Sequence, residues 1–204
     1  MRMREKYAMA RVLALSALYL VVAGPAFAHG GHAESGFMHP LSGVDHVLAM
    51  VGAGMWAALL SVRRPSASFW VPTAFLTMMA FGAAAGFAGM KLPFSEAGVI
   101  ASVLVLGGLV LAAVRLPIAT AMLLVGWFAA LHGYSHAVEA PTGDPATYMM
   151  GFLLATALLH ALGLVLGWVA FRRAGDAGLR ALGGLVMVGG ALVLASHSAL
   201  FSGL

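Results

Sequence analysis

The sequence has no cysteine and very little charge. Of 204 residues, 11 are Lys or Arg and 7 are Asp or Glu, so 9% are charged, where a soluble domain carries about 25%. The missing thiols exclude a disulfide scaffold and any thiolate metal site. The missing charge, set against 62% hydrophobic residues and a mean hydropathy of +0.97, excludes a water-soluble enzyme and a disordered chain. No basic stripe interleaved with aromatics is present, so the net charge of +4 does not indicate a nucleic-acid partner. There is no glycine-rich phosphate-binding loop, and the stretches between apolar runs are too short for an ATPase domain. What is left is an integral membrane protein of one domain.

The N-terminus reads as a targeting segment. Arg2, Arg4, Lys6 and Arg11 precede the short apolar run 12–22, and Ala26-Phe27-Ala28 makes a small-x-small cleavage site. That run is too short for a span of about 20 residues. Residues 1–28 are therefore expected to be a cleaved signal peptide, the alternative being an uncleaved anchor. The mature chain, 29–204, would begin His29-Gly30-Gly31-His32, outside the cytoplasm of a bacterium.

Charges and prolines divide the mature chain into six apolar runs, near 42–61, 69–90, 96–114, 117–138, 148–171 and 179–202. A spanning segment must satisfy its backbone internally, and no ten-residue alternation of a barrel is visible, so the expected fold is all-α, a bundle of six transmembrane helices. Starting outside, this arrangement puts Arg63, Arg64, Arg115, Arg172, Arg173 and Arg180 in or beside cytoplasmic loops. The outer segments hold only Lys91, with Glu34, Glu96, Glu139 and Asp144. The positive-inside rule then sets a multi-pass protein of the bacterial inner membrane with both termini periplasmic. Trp70 and Trp168 fit an inner aromatic belt, Tyr134 and Tyr148 an outer one. Gly82 and Gly86, and Gly163 and Gly167, are spaced for close helix packing.

Ionisable groups inside spans are costly and mark function. All eight histidines lie outside the cytoplasmic loops. At ~100° per residue His136 lies ~40° to one side of His132 and Glu139 ~20° to the other, so the three share one helix face. Two imidazoles one turn apart can chelate a metal ion, with a carboxylate adding charge or an oxygen ligand. A second cluster, Met38-His39-Pro40-Leu41-Ser42-Gly43-Val44-Asp45-His46, opens the first span. Pro40 and Gly43 suggest a turn or broken helix, and Ser42 is placed to cap the helix that follows. A bare Asp45 at that depth is expensive, and a cation or a histidine partner relieves the cost. His160 lies near mid-depth in the fifth run and His197 toward the outer end of the sixth. Met50 could add a thioether, though core filling suits it better. His29 and His32 could scavenge metal at the terminus, or be incidental residues of a disordered tip. Imidazole and carboxylate without thiolate suit divalent Ni, Co, Zn or Fe rather than Cu(I).

The pattern His39-Pro40-x-x-Gly43-x-Asp45-His46, followed by Met50 and Gly52, resembles the signature of the HupE/UreJ family of membrane nickel permeases. His132-Gly133-x-x-His136-x-x-Glu139 is similar to that family's second motif. The resemblance covers essentially the whole chain. His-Gly-Gly-His at the mature terminus departs from the closer-spaced pairs of some members. The resemblance implies uptake of Ni²⁺, or Co²⁺ in related members, for hydrogenase or urease maturation, making 29–204 a metal transport domain. It implies His39, Asp45, His46, His132, His136 and Glu139 as metal-binding residues. His160, His29 and His32 join them on depth and position alone. The metal is substrate rather than prosthetic group, the other partner is the lipid bilayer, and no catalytic residue is expected. The rival readings are an exporter, a metal-binding accessory protein without transport, and a membrane metalloenzyme. Oligomeric state, including a homo-oligomer, stays open.

Overall fold

The computed structural model describes residues 32–202, with side chains described for 35–196. Residues 1–28, expected as the signal peptide, and His29 lie outside the described residues. The architecture is an all-α bundle. In chain order it comprises α1 (His32–Ser42), α2 (Val44–Ser61), α3 (Ala67–Phe87), α4 (Ser95–Leu111), α5 (Ile118–Val138) and α6 (Pro145–Ser202). α6 is broken at Ala174 and Gly175, whose backbone leaves the helical region. Its two limbs run in opposite directions along α2, the first with Gly163 on Val51 and Gly167 on Met55, the second with Val186 beside Gly52 and Gly189 on Leu48.

Among the described residues, α2, α3, α5 and α6 are long and apolar enough to cross a membrane. α4, at 17 residues, is a shorter apolar helix. The helices stop where the sequence supplies a stop. Gly89, at φ 76°, closes α3 with its N–H on the Gly86 carbonyl at 2.9 Å and the Met90 N–H on the Ala85 carbonyl at 3.1 Å. A left-handed residue there lets the last carbonyls be satisfied without a Cβ penalty. α6 starts with Pro145 in its first turn, and Asp144 Oδ2 accepts the Thr147 N–H at 2.9 Å and also the Thr147 hydroxyl. Carboxylate before the helix and proline at its first position are a favoured start.

The short α1 and the break after it separate two expected roles. Gly43 does interrupt the helix, with φ −92° and ψ 116°. Ser42, however, does not cap α2: its hydroxyl donates back to the His39 carbonyl at 2.7 Å, and the capping position is Gly43 with no side-chain bond. α1 begins at His32, the first of the described residues.

Chain direction gives the bundle two chemically different ends. One collects α1, the starts of α2 and α6 and the end of α5, with His39, His46, His136 and Glu139. The other collects the α2–α3 and α4–α5 loops and the α6 break, with six arginines. There Arg115 pairs with Asp176 at 2.5 Å, and Arg180 Nε donates to the Leu111 carbonyl at 3.0 Å. Arg172 lies 4.6 Å from the Trp168 ring centroid, and Trp70 is exposed, as belt residues should be. Tyr148 does not take the belt position expected of it; it is 2% exposed and packs on Phe152 and His39.

The core runs the length of α2, where Ala49, Met50, Ala53, Trp56, Ala57 and Leu59 are fully buried. Two close approaches set the site. At Gly163 a Cβ would strike the Val51 carbonyl, and at Gly54 it would strike the His160 carbonyl, so the first limb of α6 lies directly on α2. At Gly133 a Cβ would strike the Met79 carbonyl, which brings α5 equally close to α3. Backbone contact of this kind is how helices associate tightly in lipid.

Candidate metal pathway

The close approaches carry five histidines, from four helices, into one file. His39 comes from α1, His46 from α2, His132 and His136 from α5, and His160 from α6. The ring centroid of His39 is 5.0 Å from that of His136 and 6.4 Å from that of His46. His46 is 4.6 Å from His136 and 5.1 Å from His132. Phe75 follows, 6.0 Å from His132 and 4.6 Å from His160. Exposure falls along this line. The His39 side chain is 27% exposed, His46 is 8%, His132 and His136 are 0% and His160 is 1%.

Each ring but one is held by a single protein acceptor. Glu139 Oε2 is 2.9 Å from His39 Nε2, and Asp45 Oδ1 is 2.9 Å from His46 Nδ1. The Thr156 carbonyl is 2.8 Å from His160 Nδ1. A carboxylate or carbonyl only accepts, so in each case the named ring nitrogen carries the proton and donates. His132 Nε2 is 2.9 Å from Ser102 Oγ, and the Ser102 hydroxyl donates to the Val99 carbonyl at 2.6 Å. With its one proton spent there, Ser102 accepts from His132 Nε2–H. The opposite nitrogens, His46 Nε2, His132 Nδ1 and His160 Nε2, then bear lone pairs, and all three are buried without a hydrogen-bond partner.

His136 differs. Its ring lies 4.9 Å from that of Phe152 at an interplanar angle of 17°, and neither nitrogen has a partner. An unsatisfied buried polar group costs about 1–3 kcal/mol, and five imidazole nitrogens in this file are in that state. Tethering a ring through one nitrogen while baring the other is the arrangement of metal-ligating histidines, whose N–H is given to a carboxylate or carbonyl.

Several expected residues take other places. Glu139 is the half-exposed C-cap of α5, and its side chain pairs with His39, a hundred residues away, rather than hydrogen-bonding His132 or His136. Met50 is fully buried and its sulfur accepts from the Thr156 hydroxyl at 3.3 Å, a core role. His32 belongs to α1 and His197 to the second limb of α6, and the side chains of both lie outside the described ones. Ser102, Thr156 and Phe75 had no sequence signal; serine, threonine and phenylalanine are ordinary in an apolar helix. Among the described residues no three His, Asp or Glu side chains form a preassembled metal cage. His39, His46 and His136 form a triangle of rings 4.6 to 6.4 Å apart, and His132 continues inward from His46.

An all-α bundle with four helices long and apolar enough to cross a membrane among its described residues, and tethered histidines gathered toward one end, defines the class, a multi-pass membrane protein. A family model described as HupE / UreJ protein matches residues 17–193. The protein named Protein HupE from Rhizobium leguminosarum bv. viciae is 42% identical over 177 residues, covering 83% of this chain and 91% of that one. The chain belongs to the HupE/UreJ family, whose members are transporters or accessory proteins rather than enzymes. No solved structure matches it.

Proposed function

We propose that the protein is a permease that takes up a divalent transition-metal ion, most readily Ni²⁺, across the bacterial inner membrane. The observation that carries this is the tethered file: His39, His46, His132 and His160 each hold an N–H on a protein acceptor, and three of the opposite nitrogens are buried and bare. A permeating ion needs several weak sites in series, since one strong cage would trap it. His39 and Glu139 form the mouth, Asp45 and His46 with His136 the first dehydrating station, His132 the second, and His160 the last. His29 and His32 on the mature terminus would raise the local metal concentration.

In this reading residues 1–28 are a cleaved signal peptide, 29–204 form one metal transport domain of six spans, and the histidine end and both termini face the periplasm. The arginine end faces the cytoplasm, as the positive-inside rule requires. An inside-negative potential draws in a divalent ion with about 4.6 kcal/mol per 100 mV, so no ATPase is needed. The choice of nickel comes from the family resemblance; the donor chemistry supports a divalent ion without thiolate ligands and suits Co²⁺ as well. The ion would serve metalloenzyme maturation.

One observation favours a second reading. Beyond Gly54, which meets the His160 carbonyl, α2 carries Met55, Trp56 and Leu59, all buried, with Trp56 Nε1 donating to the Val114 carbonyl at 2.9 Å. A metal-binding accessory protein without transport would also be packed there. Flux into proteoliposomes separates the two. With nickel outside and an inside-negative potential, the permease accumulates the ion and His132→Ala and His136→Ala do not. Metal binding without flux in the wild type would overturn the proposal.

A further inference from the structure

Three arginines from two loops converge on one cavity at the end opposite the histidines. Arg63 and Arg64, in the α2–α3 loop, and Arg115, in the α4–α5 loop, line a cavity of about 230 Å³. No acidic residue lines it. Asp176, the partner of Arg115, reaches that guanidinium from the α6 break, and Arg115 Nε stays buried without a hydrogen bond. Arg63 and Arg64 have no carboxylate partner among the described residues. The rest of the wall is apolar, from Leu60, Leu116 and Ile118. Orienting a membrane protein needs arginines in these loops, but it does not need two loops to aim them into the same space.

We propose that this cavity binds a phosphate group, as the headgroup of an anionic phospholipid or as free phosphate. Guanidinium forks match phosphate oxygens two at a time, and a basic hollow between helices at the cytoplasmic side of a bundle is the setting in which anionic headgroups dock. α5 begins at Ile118 in the same wall, so the positive end of its dipole lies beside the cavity. The apolar side gives acyl chains a surface to follow. The site is independent of the metal pathway.

The test is thermal unfolding of the full chain in neutral detergent, with phosphatidylglycerol, phosphatidylcholine or inorganic phosphate added. A ligand bound to the folded state raises its Tm. Phosphatidylglycerol is expected to raise the wild-type Tm by about 4 °C, with no shift from phosphatidylcholine. The Arg63→Gln/Arg64→Gln variant should lose that shift, and Arg172→Gln/Arg173→Gln, which removes the same charge from the same end, should keep it. An equal shift from inorganic phosphate at low millimolar concentration assigns free phosphate as the ligand. Loss of the shift in both double variants means diffuse attraction and overturns the site, as does no wild-type shift from either anion. If the Arg63/Arg64 variant fails to fold, native mass spectrometry of the wild type from mixed micelles decides. Preferential retention of phosphatidylglycerol supports the site, and equal retention of the two lipids overturns it.

Discussion

Ser102 Oγ lies 2.9 Å from His132 Nε2 and gives its own proton to the Val99 carbonyl, so it can only receive the histidine N–H. A serine hydroxyl turned back onto its own helix thereby decides which nitrogen of a fully buried imidazole is available to a metal. Ser102→Ala removes that acceptor and lets the ring settle in either tautomer. Nickel uptake should fall by about 10-fold, the lower range for losing an outer partner of a ligand, while Ser102→Thr retains most of it. Uptake equal to wild type in the alanine variant, at matched expression, would sink the assignment.

His136 is fully buried with both nitrogens unpartnered, a cost that a purely structural residue would not carry. Replacing it with an apolar side chain of similar size should relieve that cost. His136→Leu is expected to be as stable as wild type or up to about 2 kcal/mol more stable, with metal uptake lost. Thermal denaturation and uptake, measured on the same preparation, check both halves. A clear loss of stability would mean that His136 has a structural partner.

The mouth should behave differently from the interior. His39 and Glu139 are partly exposed and face each other across the α1–α5 contact at 2.9 Å. Glu139→Gln removes one charge where the ion arrives, so it should raise the half-saturating concentration severalfold and leave the maximal rate nearly unchanged. A drop in maximal rate alone would place Glu139 deeper in the mechanism than the geometry does.

Protons compete with metal for the same imidazole lone pairs. Uptake should therefore fall as the outer medium is acidified. The sign is set by chemistry: the protonated ring has no lone pair and repels a dication. Initial rates at fixed membrane potential between pH 8 and pH 4 test this, and a flat profile across that whole range would count against a pathway built on histidine.

Gly163 and Gly54 are the contact that holds His160 in line, since a Cβ on either meets backbone of the facing helix. Backbone has no rotamer with which to yield. Gly163→Val should destabilise the protein by about 2–3 kcal/mol and displace His160, so Tm and uptake fall together. A stable Gly163→Val protein with normal uptake would mean that the α2–α6 contact is looser than drawn.

The amino-acid sequence alone determined the class. Charge depletion and apolar runs of spanning length require a helical bundle in lipid, because no other open structure satisfies its backbone there. It also placed histidines and arginines at opposite ends, since alternating passes turn chain order into a side. His132 and His136 were legible as a pair because helical periodicity is local, and Gly43 as a break because glycine before a helix is local too.

What periodicity could not reach was contact between helices. That Glu139 belongs to His39 rather than to His132, that Ser102 and Thr156 set the tautomers of His132 and His160, and that Phe75 sits between those rings depend on how helices rotate and approach. So does the meeting of Arg63, Arg64 and Arg115 around one cavity. Such rotations follow from where glycines let two backbones touch, and a glycine in the sequence does not name the helix that will press against it. Tertiary packing alone made that choice.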